Sequence, residues 1–575
     1  RIVVPLVGGS IHILSLLRLG SLRGDFIARR AREVDMDTPY LDMSKTFRFM
    51  EIMEKAPSIG FLKHAKNWVK FVRYWTYHGR ENLKNMLLFM LNQYFDVDID
   101  YEEPRREAEE CIWDPESKSC VEPGEYDRLD PSKPLVAMLL YGGMHFEQTR
   151  VVAEELYKRF RARGVETLLI VGGGSETLLR QSEFIDEVFK RLKKRVRPCV
   201  FINLQWFRIK GGPYCGPPES TYKLLESLDT PLVNGLIMYM REIEKWLKDP
   251  RGLSPVEVLT GVALPEADGA IEPIPLAGLS SGVEKDIVVI DDRIEKRVNR
   301  VLKWINLRMK QPSERRIAII IYNYPPGEHN VGSASYLDVL GSVEALLKRL
   351  SEAGYATKSL SKEELKERLI LNGLINNPLW FERREAETLD TETYLRYFNQ
   401  LPSELREEVT RFWGSPPGEI NVWNKRLVIP GIVLGNVFIG VQPSRGFHED
   451  PSKLVHSKDL PPHHQYLAFY YWLREIFRAD AIIHLGTHGT LEFMPGKEIG
   501  LSSRCYPDTL IGDTPHIYIY HVTNPSEMSI AKRRGYAYVI THATPAFTVA
   551  GLYEDYVELE DLIHEYREAL VQDPS

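Results

Sequence analysis

The sequence predicts a multidomain α/β protein, built from doubly wound parallel sheets of the Rossmann or flavodoxin type, with a helical N-terminal part and a helical insertion. Three observations favour this class. The chain has 575 residues, which is too long for one ordinary domain. Its composition, 43% apolar and 27% charged, is typical of a globular protein. Short apolar runs alternate with amphipathic segments, as expected for buried parallel strands joined by crossover helices.

The first region, residues 1–132, is predicted to be mostly helical and to end in a linker. Aromatic and aliphatic residues recur at helical spacing from about 25 to 95, as in "AKNWVKFVRYWTYHGRENLKNMLLFMLNQYF". The acidic and proline-rich run that follows, "DVDIDYEEPRREAEECIWDPESKSCVEPGEYDRLDPSKP", is interpreted as a linker or extended surface loop.

The first α/β domain is assigned to residues 133–310. Apolar strands "PLVAMLLYGG", "VETLLIVGGG", "PCVFINL" and "TPLVNGLIM" are separated by amphipathic helices, and a charged helix, "RIEKRVNRVLKWINLRMKQ", closes the domain. The segment "GVALPEADGAIEPIPLAGL" (261–279) has little helical or strand pattern. It carries Glu266, Asp268 and Glu272, and we expect a functional loop there.

The second α/β region is assigned to residues 311–575. "RRIAIIIYNYPPG" and "YATKSL" are predicted strands around one helix, and a mostly helical insertion follows at about 361–412. Beyond it come "VWNKRLVIPGIVLGNVFIG", the helix "PHHQYLAFYYWLREIF" and the short strand "AIIHLG". The two α/β units are compatible with distant structural repeats, although no sequence periodicity demands this.

Composition excludes some classes of function and of location. A net charge of −7 gives no indication of nucleic-acid binding, and no apolar run approaches the roughly 18 residues that a membrane span requires. The five cysteines form no CxxC pair. Cys111 and Cys120 lie nine residues apart, and we expect free thiols in a reducing cytoplasm rather than a disulfide.

The strongest chemical signal is "HLGTHGTLEFMPGK", which spaces His484, His488 and Glu492 four residues apart. Glycines and threonines between them disfavour a helix, so the histidines are predicted to lie where a strand ends and a loop begins. Nine of the 15 histidines fall between 448 and 542. Imidazole binds metals and titrates near neutrality, so a metal or proton-transfer site is favoured over packing alone. The order of residues is not His-Glu-x-x-His, and only Cys505 is near, so a structural zinc site is disfavoured.

Two further loops have features of candidate sites. "VGGGSET" (171–177) follows a strand but matches neither nucleotide-binding motif, so a tight turn is expected and the chain is not expected to hydrolyse ATP by itself. "YNYPPGEHNVGSASYLDV" (322–339) follows a strand and carries Glu328, His329 and Asp338 among tyrosines and glycines. Its proline-stiffened, apolar character favours a functional loop.

Five long segments in order carry a resemblance to a known family. They are "IYNYPPGEHNVGSASYLDV", "LPEADGAIEPI", "GNVFIGVQPSRGFHEDPSKLVHSKDLPPHHQYLAFYYWLRE", "HLGTHGTLEFMPGKEIGLSSRCYPDTLIGDTPHIYIYHVTNPSE" and "AKRRGYAYVITHATP". From about residue 134 onward the chain resembles the large subunit of the class I tetrapyrrole metal chelatases. That family includes the cobaltochelatase large subunit and the porphyrin-binding subunit of magnesium chelatase. Chains of the family are longer, so the resemblance implies a chain truncated at its C-terminus.

The resemblance implies insertion of a divalent metal into a porphyrin- or corrin-type macrocycle, driven by ATP hydrolysis in separate AAA+ partner subunits. The absence of a phosphate loop agrees with this division of labour. Thr487 and "LEFMPGK" resemble the cobalt-type relatives more than the magnesium-type "GMHGTVEWLPG", so Co2+ is favoured as the metal, with Mg2+ or Ni2+ as alternatives. Other hypotheses are a magnesium chelatase subunit, a non-catalytic tetrapyrrole carrier and a metallohydrolase.

Metal insertion requires a base for two pyrrole protons and ligands that hold the ion transiently. Glu492 is predicted to be the general base and a metal ligand, and His484 and His488 to guide the ion or relay protons. Guanidinium groups bind substrate carboxylates well, and tyrosines stack on flat rings. The predicted substrate-binding residues are Arg445, Lys497, Arg504, Tyr322, Tyr324, Glu328 and His329.

Overall fold

The computed structural model describes most of the chain from Gly60 onward. The described residues are 52, 55, 57, 59–77, 80–95, 97–105, 110–173, 180–212, 218–283, 285–322, 331–332, 334, 337–371, 386–445, 459–486, 489–543, 558–559, 561–563 and 565–566. None of the helices within these ranges is long and apolar enough to cross a membrane.

The first sheet has eight strands, with a parallel centre and antiparallel edges. Its order is β2-β1-β4-β3-β5-β6-β7-β8, and β3 to β7 run parallel to one another. Among these parallel strands, chain order gives the arrangement 2-1-3-4-5 of flavodoxin-like folds. The strands are β1 (Cys111–Asp114), β2 (Ser119–Val121), β3 (Leu135–Tyr141), β4 (Glu166–Gly172), β5 (Val200–Asn203), β6 (Leu232–Glu242), β7 (Ile271–Leu279) and β8 (Ile287–Val289).

Nine α-helices belong to this half of the described chain, and the two that come first form a hairpin. They are α1 (Gly60–Tyr77), α2 (Arg80–Tyr94), α3 (Phe146–Ala162), α4 (Gln181–Arg191), α5 (Glu219–Leu228), α6 (Ile243–Lys248), α7 (Pro255–Val258), α8 (Leu264–Ala267) and α9 (Asp291–Met309). A π-turn, Leu259–Ala263, joins α7 to α8. The long helix α9 has an apolar face made by Ile294, Val298, Val301 and Ile305, all of which are buried. Its amphipathic pattern therefore fits a helix packed on a core.

The second sheet repeats the strand order of the first. Its order is β13-β14-β9-β15-β16-β17, in which only β13 is antiparallel to its neighbour, so the parallel strands again follow the pattern 2-1-3-4-5. A separate sheet has the order β10-β12-β11. The strands are β9 (Ile317–Ile321), β10 (Glu387–Asp390), β11 (Val422–Trp423), β12 (Arg426–Ile429), β13 (Gly431–Leu434), β14 (Val437–Val441), β15 (Ala481–Leu485), β16 (His516–His521) and β17 (Ala537–His542).

The helices of this half surround the second sheet and form the insertion. They are α10 (Val339–Glu352), α11 (Lys362–Lys366), α12 (Thr391–Phe398), α13 (Ser403–Trp413), α14 (His464–Tyr471), α15 (Tyr506–Ile511) and α16 (Pro525–Arg534). Both sheets are doubly wound and parallel at their centres, which confirms the predicted fold class.

Three local predictions differ from the structure. Residues 111–121, predicted as part of a linker, form the hairpin β1-β2 and extend the first sheet through β4. The predicted loop 261–279 instead contains α8 and β7. Prolines 273 and 275 are tolerated in β7 because its register with β6 shifts twice around them, which removes ladder hydrogen bonds that proline could not donate. The predicted strand 355–360 has no strand pairing.

The expectation of free thiols at Cys111 and Cys120 was also wrong. The two residues are joined by a disulfide, with a Cα–Cα distance of 5.6 Å. Antiparallel pairing of β1 with β2 brings their Cα atoms within the range that a disulfide can bridge. Cys199 and Cys505 are buried free thiols.

The carboxylate of Glu272 in β7 is fully buried against helix α9. Its Oε2 accepts a hydrogen bond from Arg297 (2.7 Å), and its Oε1 accepts from Arg300 and from the indole of Trp304 (both 2.8 Å). Burial alone would raise the pKa of Glu272, but Arg300 and Arg297 outweigh burial and lower the pKa from 4.5 to about 2. Arg300 also donates to the carbonyl of Gly512 in the second unit (2.8 Å).

We predict that Glu272→Gln destabilises the protein by about 3–5 kcal/mol, because two buried guanidinium groups lose their counter-charge. Thermal and denaturant unfolding would measure the loss. The folded-state pKa of Glu272 lies below its unfolded value, so the stabilisation is present above pH 4.5 and is lost as the pH falls towards 2. The difference between variant and wild type should shrink over that interval. Glu404→Gln, at an exposed pair with Arg504, is the matched control and should change stability by less than about 0.5 kcal/mol.

Candidate functional site

The candidate site lies at the carboxyl edge of the second sheet, where the strand order reverses between β9 and β15. Ligands of doubly wound sheets bind in the crevice at such a switch point. Tyr322 follows β9, Gly486 follows β15, and residues 442–445 follow the neighbouring strand β14. The chain after β15 then forms a short 3-10 turn, Leu491–Phe493, which carries Glu492. The prediction that the motif begins at a strand end is confirmed for His484, in the last two residues of β15, whereas His488 lies outside the described residues.

Glu492 is fully buried within a group of tyrosines. Its negative charge raises the pKa values of Tyr518, Tyr520 and Tyr470, in each case after the larger effect of burial. A Cβ added to Gly489 would lie 2.5 Å from the Tyr518 hydroxyl and 3.5 Å from Glu492 Oε2. Only glycine therefore fits at position 489, and its small size lets Tyr518 approach the carboxylate.

The turn that carries Glu492 is held by hydrogen bonds from Arg534, the last residue of α16. Its guanidinium donates to the carbonyl of Glu492 (2.7 Å) and to the carbonyl of Met494 (2.6 Å). Burial lowers the pKa of Arg534. Hydrogen bonds from a cation to main-chain carbonyls on both sides of Phe493 restrict the backbone that carries the carboxylate.

A buried chain of hydrogen bonds passes through His484 and fixes its tautomer. Gln442 Nε2 donates to the hydroxyl of Tyr470 (2.7 Å), which lies 3.1 Å from His484 Nε2. His484 Nδ1 lies 2.7 Å from His516 Nε2, and His516 Nδ1 lies 2.7 Å from the carbonyl of Gly535. A carbonyl only accepts, so His516 donates to Gly535, His484 donates to His516, and Tyr470 donates to His484.

Both histidines in this series of hydrogen bonds, His484 and His516, are neutral at physiological pH. Burial lowers the pKa of His484 well below 6.5, and the neighbouring His516 lowers it further. Burial lowers the pKa of His516 to about 4, although its hydrogen bond to Gly535 acts in the opposite direction. Each ring uses one nitrogen as donor and one as acceptor, so both nitrogens of His484 are engaged within the protein.

The series of hydrogen bonds continues from Gln442 to the turn that carries Glu492. Gln442 Oε1 accepts from the Thr490 amide (2.9 Å) and lies 3.2 Å from the Thr490 hydroxyl. Tyr466 hydroxyl lies 2.8 Å from the same threonine oxygen. Thr490 precedes the 3-10 turn directly, so the network from Gly535 to Gln442 holds the start of that turn while Arg534 holds its end.

Arg445, a predicted partner of substrate carboxylates, is buried. Its side chain is 3% exposed, and one Nη donates to the carbonyl of Leu460 (2.7 Å). Burial lowers its pKa to about 10, whereas Tyr466 and Tyr322 act in the opposite direction and Arg534 adds to the lowering.

Lys497 and Arg504 have other partners. Lys497 Nζ donates to the carbonyls of Trp246 (2.6 Å), Leu247 (3.0 Å) and Asp249 (2.7 Å). It thus caps the C-terminal end of α6 in the first unit. An ammonium has three donors, and all three serve this contact. Arg504 is 61% exposed and pairs with Glu404 at 3.2 Å. The structure therefore does not bring either residue together with Glu492.

The three acidic residues of the segment 261–279 form ion pairs rather than a ligand site. Asp268 pairs with Arg208 (2.6 Å), and Glu266 pairs with Arg533 of α16 (2.8 Å), in addition to the Glu272 network. The pair between Glu266 and Arg533 joins the first unit to the helix that holds the Glu492 turn.

The other predicted site residues lie outside the described part of the chain: His488, Tyr324, Glu328 and His329. Among the residues that the structure describes, no group of three or more His, Cys, Asp or Glu side chains could hold a metal ion. The predicted set of Glu492, His484 and His488 therefore remains a prediction.

Sequence reasoning missed several residues that shape this site: Tyr470, His516, Gln442, Tyr518 and Arg534. His516 lay in the histidine-rich segment, which was the available signal for it. The others reach the site through contacts between elements far apart in sequence, such as the 42 residues between Arg534 and Glu492.

A cavity of about 620 Å³ opens beside the Arg445 loop. Its lining includes the rings of Phe412, Trp413, His463 and His464. His463 connects it to the site, because its ring contacts Tyr466 and its Nε2 donates to the carbonyl of Ser444 (2.7 Å). The volume lies within the range of small-molecule binding pockets.

These features define a two-unit α/β protein whose second sheet surrounds a buried carboxylate with tyrosines and neutral histidines at its switch point. The chain belongs to the CobN/Magnesium Chelatase family, whose family model matches residues 72–575. It is 32% identical to the magnesium-chelatase subunit ChlH of Oryza sativa subsp. indica, over 96% of this chain and 40% of that protein. It is also 32% identical to the aerobic cobaltochelatase subunit CobN of Pseudomonas aeruginosa, over 87% of this chain and 40% of that protein.

A solved structure has the same fold. The catalytic subunit of cobaltochelatase from Mycobacterium tuberculosis superposes with a TM-score of 0.64 and 27% identity, over 89% of this chain and 42% of that one. The chain thus spans about two fifths of the length of the relatives that it matches.

We predict that Tyr470→Phe destabilises the protein by about 1–3 kcal/mol, because it leaves a Gln442 donor and the His484 acceptor buried without a partner. Chemical denaturation would measure the change. Tyr471→Phe is the matched control. Tyr471 is a half-buried neighbour whose ring stacks on Tyr397, a contact that the substitution keeps, so we expect less than about 0.5 kcal/mol. Equal effects of the two substitutions would contradict the hydrogen-bond chain.

Proposed function

We propose that this chain is part of the tetrapyrrole-binding, catalytic large subunit of an ATP-dependent metal chelatase. The reaction inserts a divalent metal into a porphyrin- or corrin-type macrocycle and releases two protons. The observation that carries the proposal is the fully buried carboxylate of Glu492 at the switch point of the second sheet, in a chain that belongs to the chelatase family.

Glu492 is proposed as the general base and as a transient ligand of the incoming ion. A carboxylate surrounded by tyrosine rings and removed from water is a stronger base than a solvated one. Its backbone is held by Arg534 at Glu492 and by Gln442 at the neighbouring Thr490 amide, so the carboxylate meets the substrate in a fixed orientation. Fixed orientation lowers the entropic part of the barrier to proton transfer.

The histidines of the motif are proposed to assist in different ways. His484 has both ring nitrogens engaged by Tyr470 and His516, so it can bind the ion only after one of these partners moves. In the arrangement described, its contribution is to position the turn that carries Glu492 through Tyr470 and Gln442. His488 is proposed as the second ligand of the ion or as a proton relay, because it lies four residues before Glu492 in the sequence.

Substrate carboxylates are proposed to bind Arg445, whose buried guanidinium lies beside Tyr322. Tyr322 and Tyr324 would stack on the macrocycle, with Glu328 and His329 in the same loop. Lys497 and Arg504 remain weaker candidates, because the first closes a helix end and the second pairs on the surface with Glu404.

We propose Co2+ as the metal, with Mg2+ or Ni2+ as alternatives. Imidazole and carboxylate together suit cobalt and nickel, whereas magnesium prefers oxygen ligands and gives up water reluctantly. ATP would be hydrolysed by separate AAA+ subunits, since the sequence carries no phosphate-binding loop motif. The runner-up is the porphyrin-binding subunit of a magnesium chelatase. The alternative of another class is a tetrapyrrole carrier without turnover.

We predict that Glu492→Gln abolishes metal insertion while changing tetrapyrrole affinity by no more than a few-fold, because the amide keeps the shape of the side chain but cannot accept a proton. Insertion would be followed by absorbance in the complete subunit together with its ATPase partners, and binding by quenching of tryptophan fluorescence. Glu404→Gln is the control at an exposed carboxylate and should leave both unchanged. Full chelation by the Glu492 variant would refute the base assignment.

We predict that the complete enzyme inserts Co2+ at least about tenfold faster than Mg2+ at equal concentration, because nitrogen ligands favour cobalt. Parallel assays with the two ions and a panel of porphyrins and corrin precursors would measure the ratio. Faster insertion of Mg2+ would favour the runner-up. Tight macrocycle binding without insertion of any ion would favour the carrier.

A further inference from the structure

One tyrosine beside Glu492 differs from its neighbours in its hydrogen bonding. Tyr518, in the middle of β16, is 1% exposed, and its hydroxyl is buried. Within the described part of the chain this hydroxyl has no hydrogen-bond partner. A phenol O–H that loses water and gains no partner costs free energy, so a native protein rarely buries one without a reason.

The tyrosines around Tyr518 have hydroxyl partners within the protein. They are Tyr466 with Thr490 (2.8 Å), Tyr470 with His484 (3.1 Å) and Tyr520 with Glu527 (2.9 Å). These three hydroxyls therefore serve the fold. The hydroxyl of Tyr518 has no such role among the described residues, which leaves it for a ligand of the site.

The Tyr518 ring lies on the same face of the sheet as the side chain of His484. The two residues are register partners in the parallel pair β15-β16, and their rings lie 5.2 Å apart, centroid to centroid. The hydroxyl extends to Gly489, where an added Cβ would lie 2.5 Å from it and 3.5 Å from Glu492 Oε2. The phenol oxygen and the proposed base thus lie around one point, so a substrate that meets the carboxylate also meets the hydroxyl.

A phenol hydroxyl suits the inner nitrogens of a free-base tetrapyrrole, because it both donates and accepts hydrogen bonds. The free-base ring presents pyrrole N–H donors and unprotonated nitrogens with a lone pair. Burial, and after it the charge of Glu492, raises the pKa of Tyr518, so the hydroxyl keeps its proton and can donate. In the metallated ring every inner lone pair is bound to the ion and no N–H remains, so the hydroxyl has no partner there.

We propose that the Tyr518 hydroxyl hydrogen-bonds an inner nitrogen of the free-base macrocycle, and that it makes the site select the unmetallated ring over the metallated product. The assignment rests on the proposed function, because it requires a tetrapyrrole beside Glu492. With the product bound, the hydroxyl is again buried without a partner, and a site that loses such a hydrogen bond disfavours the ligand. Insertion of the metal therefore weakens binding of the ring and favours its release.

Binding of a carboxylated free-base porphyrin and of its Ni2+ complex to the complete subunit tests the proposal. The Ni2+ complex keeps the same rim, and its square-planar ion leaves no inner nitrogen free. Quenching of tryptophan fluorescence would measure both affinities, and the wild type should bind the free base more tightly. Tyr518→Phe should weaken binding of the free base about fivefold or more and change binding of the Ni2+ complex by less than about twofold.

Two further readouts separate contact with the substrate from a structural role. Because the hydroxyl has no partner among the described residues, Tyr518→Phe should not lower the midpoint of chemical denaturation, in contrast to Tyr470→Phe. In insertion assays with the ATPase partners, it should raise the KM for the free base about fivefold and change kcat by less than about twofold, whereas Glu492→Gln removes kcat. Tyr471→Phe, at a half-buried tyrosine stacked on Tyr397, is the matched control and should change none of these quantities.

The possible failures are distinguishable. A wild-type subunit that binds neither porphyrin would contradict the proposed function and this assignment together. If the wild type binds both porphyrins but Tyr518→Phe weakens neither, or weakens both equally, the assignment alone fails. Weaker binding of the Ni2+ complex only would also overturn it, and would indicate that the phenol oxygen contacts the metal. A lower denaturation midpoint in Tyr518→Phe would overturn it as well, since the hydroxyl would then serve the fold.

Discussion

The buried pairing of Glu272 with Arg297 and Arg300 is the constraint on which the arrangement of the two units depends. A carboxylate without water must be matched by charges in good geometry, and α9 supplies both guanidinium groups from one face. Arg300 also reaches Gly512, and Arg293 on the same helix pairs with Asp508 of the second unit (3.0 Å). Helix α9 is thus fixed to the first sheet through Arg297 and Arg300, and to the second unit through Arg293 and Arg300.

The position of Glu492 depends on this packing through the elements next to it. The end of α16 supplies Arg534 to the turn and Gly535 to the histidine chain, and the preceding Arg533 pairs with Glu266 of the first unit. Lys497, three residues beyond Met494, is held by carbonyls of α6. The loop that carries the carboxylate is therefore attached to the other unit at both sides.

The sequence was most informative where a pattern is local. Apolar runs such as those of β9 and β15 predicted buried parallel strands, and glycine with threonine around His484 predicted a strand end rather than a helix, as found.

The sequence was least informative where contacts join residues far apart along the chain. The donors of Lys497 meet carbonyls about 250 residues away, and His484 meets His516 across 32 residues, which no periodicity reveals. Prolines made β7 look like a loop, because the shifts in its pairing with β6 that accommodate them do not show in the local sequence. The hairpin β1-β2 was missed because its charged and proline-rich surroundings dominate the local composition.

The same winding occurs twice, and this duplication has a consequence for the first sheet. Its own switch point lies between β3 and β5, where the equivalent crevice would open. There the amide of Gln205 donates to the carbonyls of Leu140 and Gly172 (both 2.9 Å), and its oxygen accepts from Gln181 (2.9 Å). In the first sheet, hydrogen bonds of Gln205 and Gln181 thus connect the strand ends at the switch point. In the second sheet, the buried carboxylate of Glu492 lies among tyrosine rings at the same edge. The same strand order therefore has its switch-point edge filled by amide hydrogen bonds in the first unit and by a buried carboxylate among tyrosines in the second.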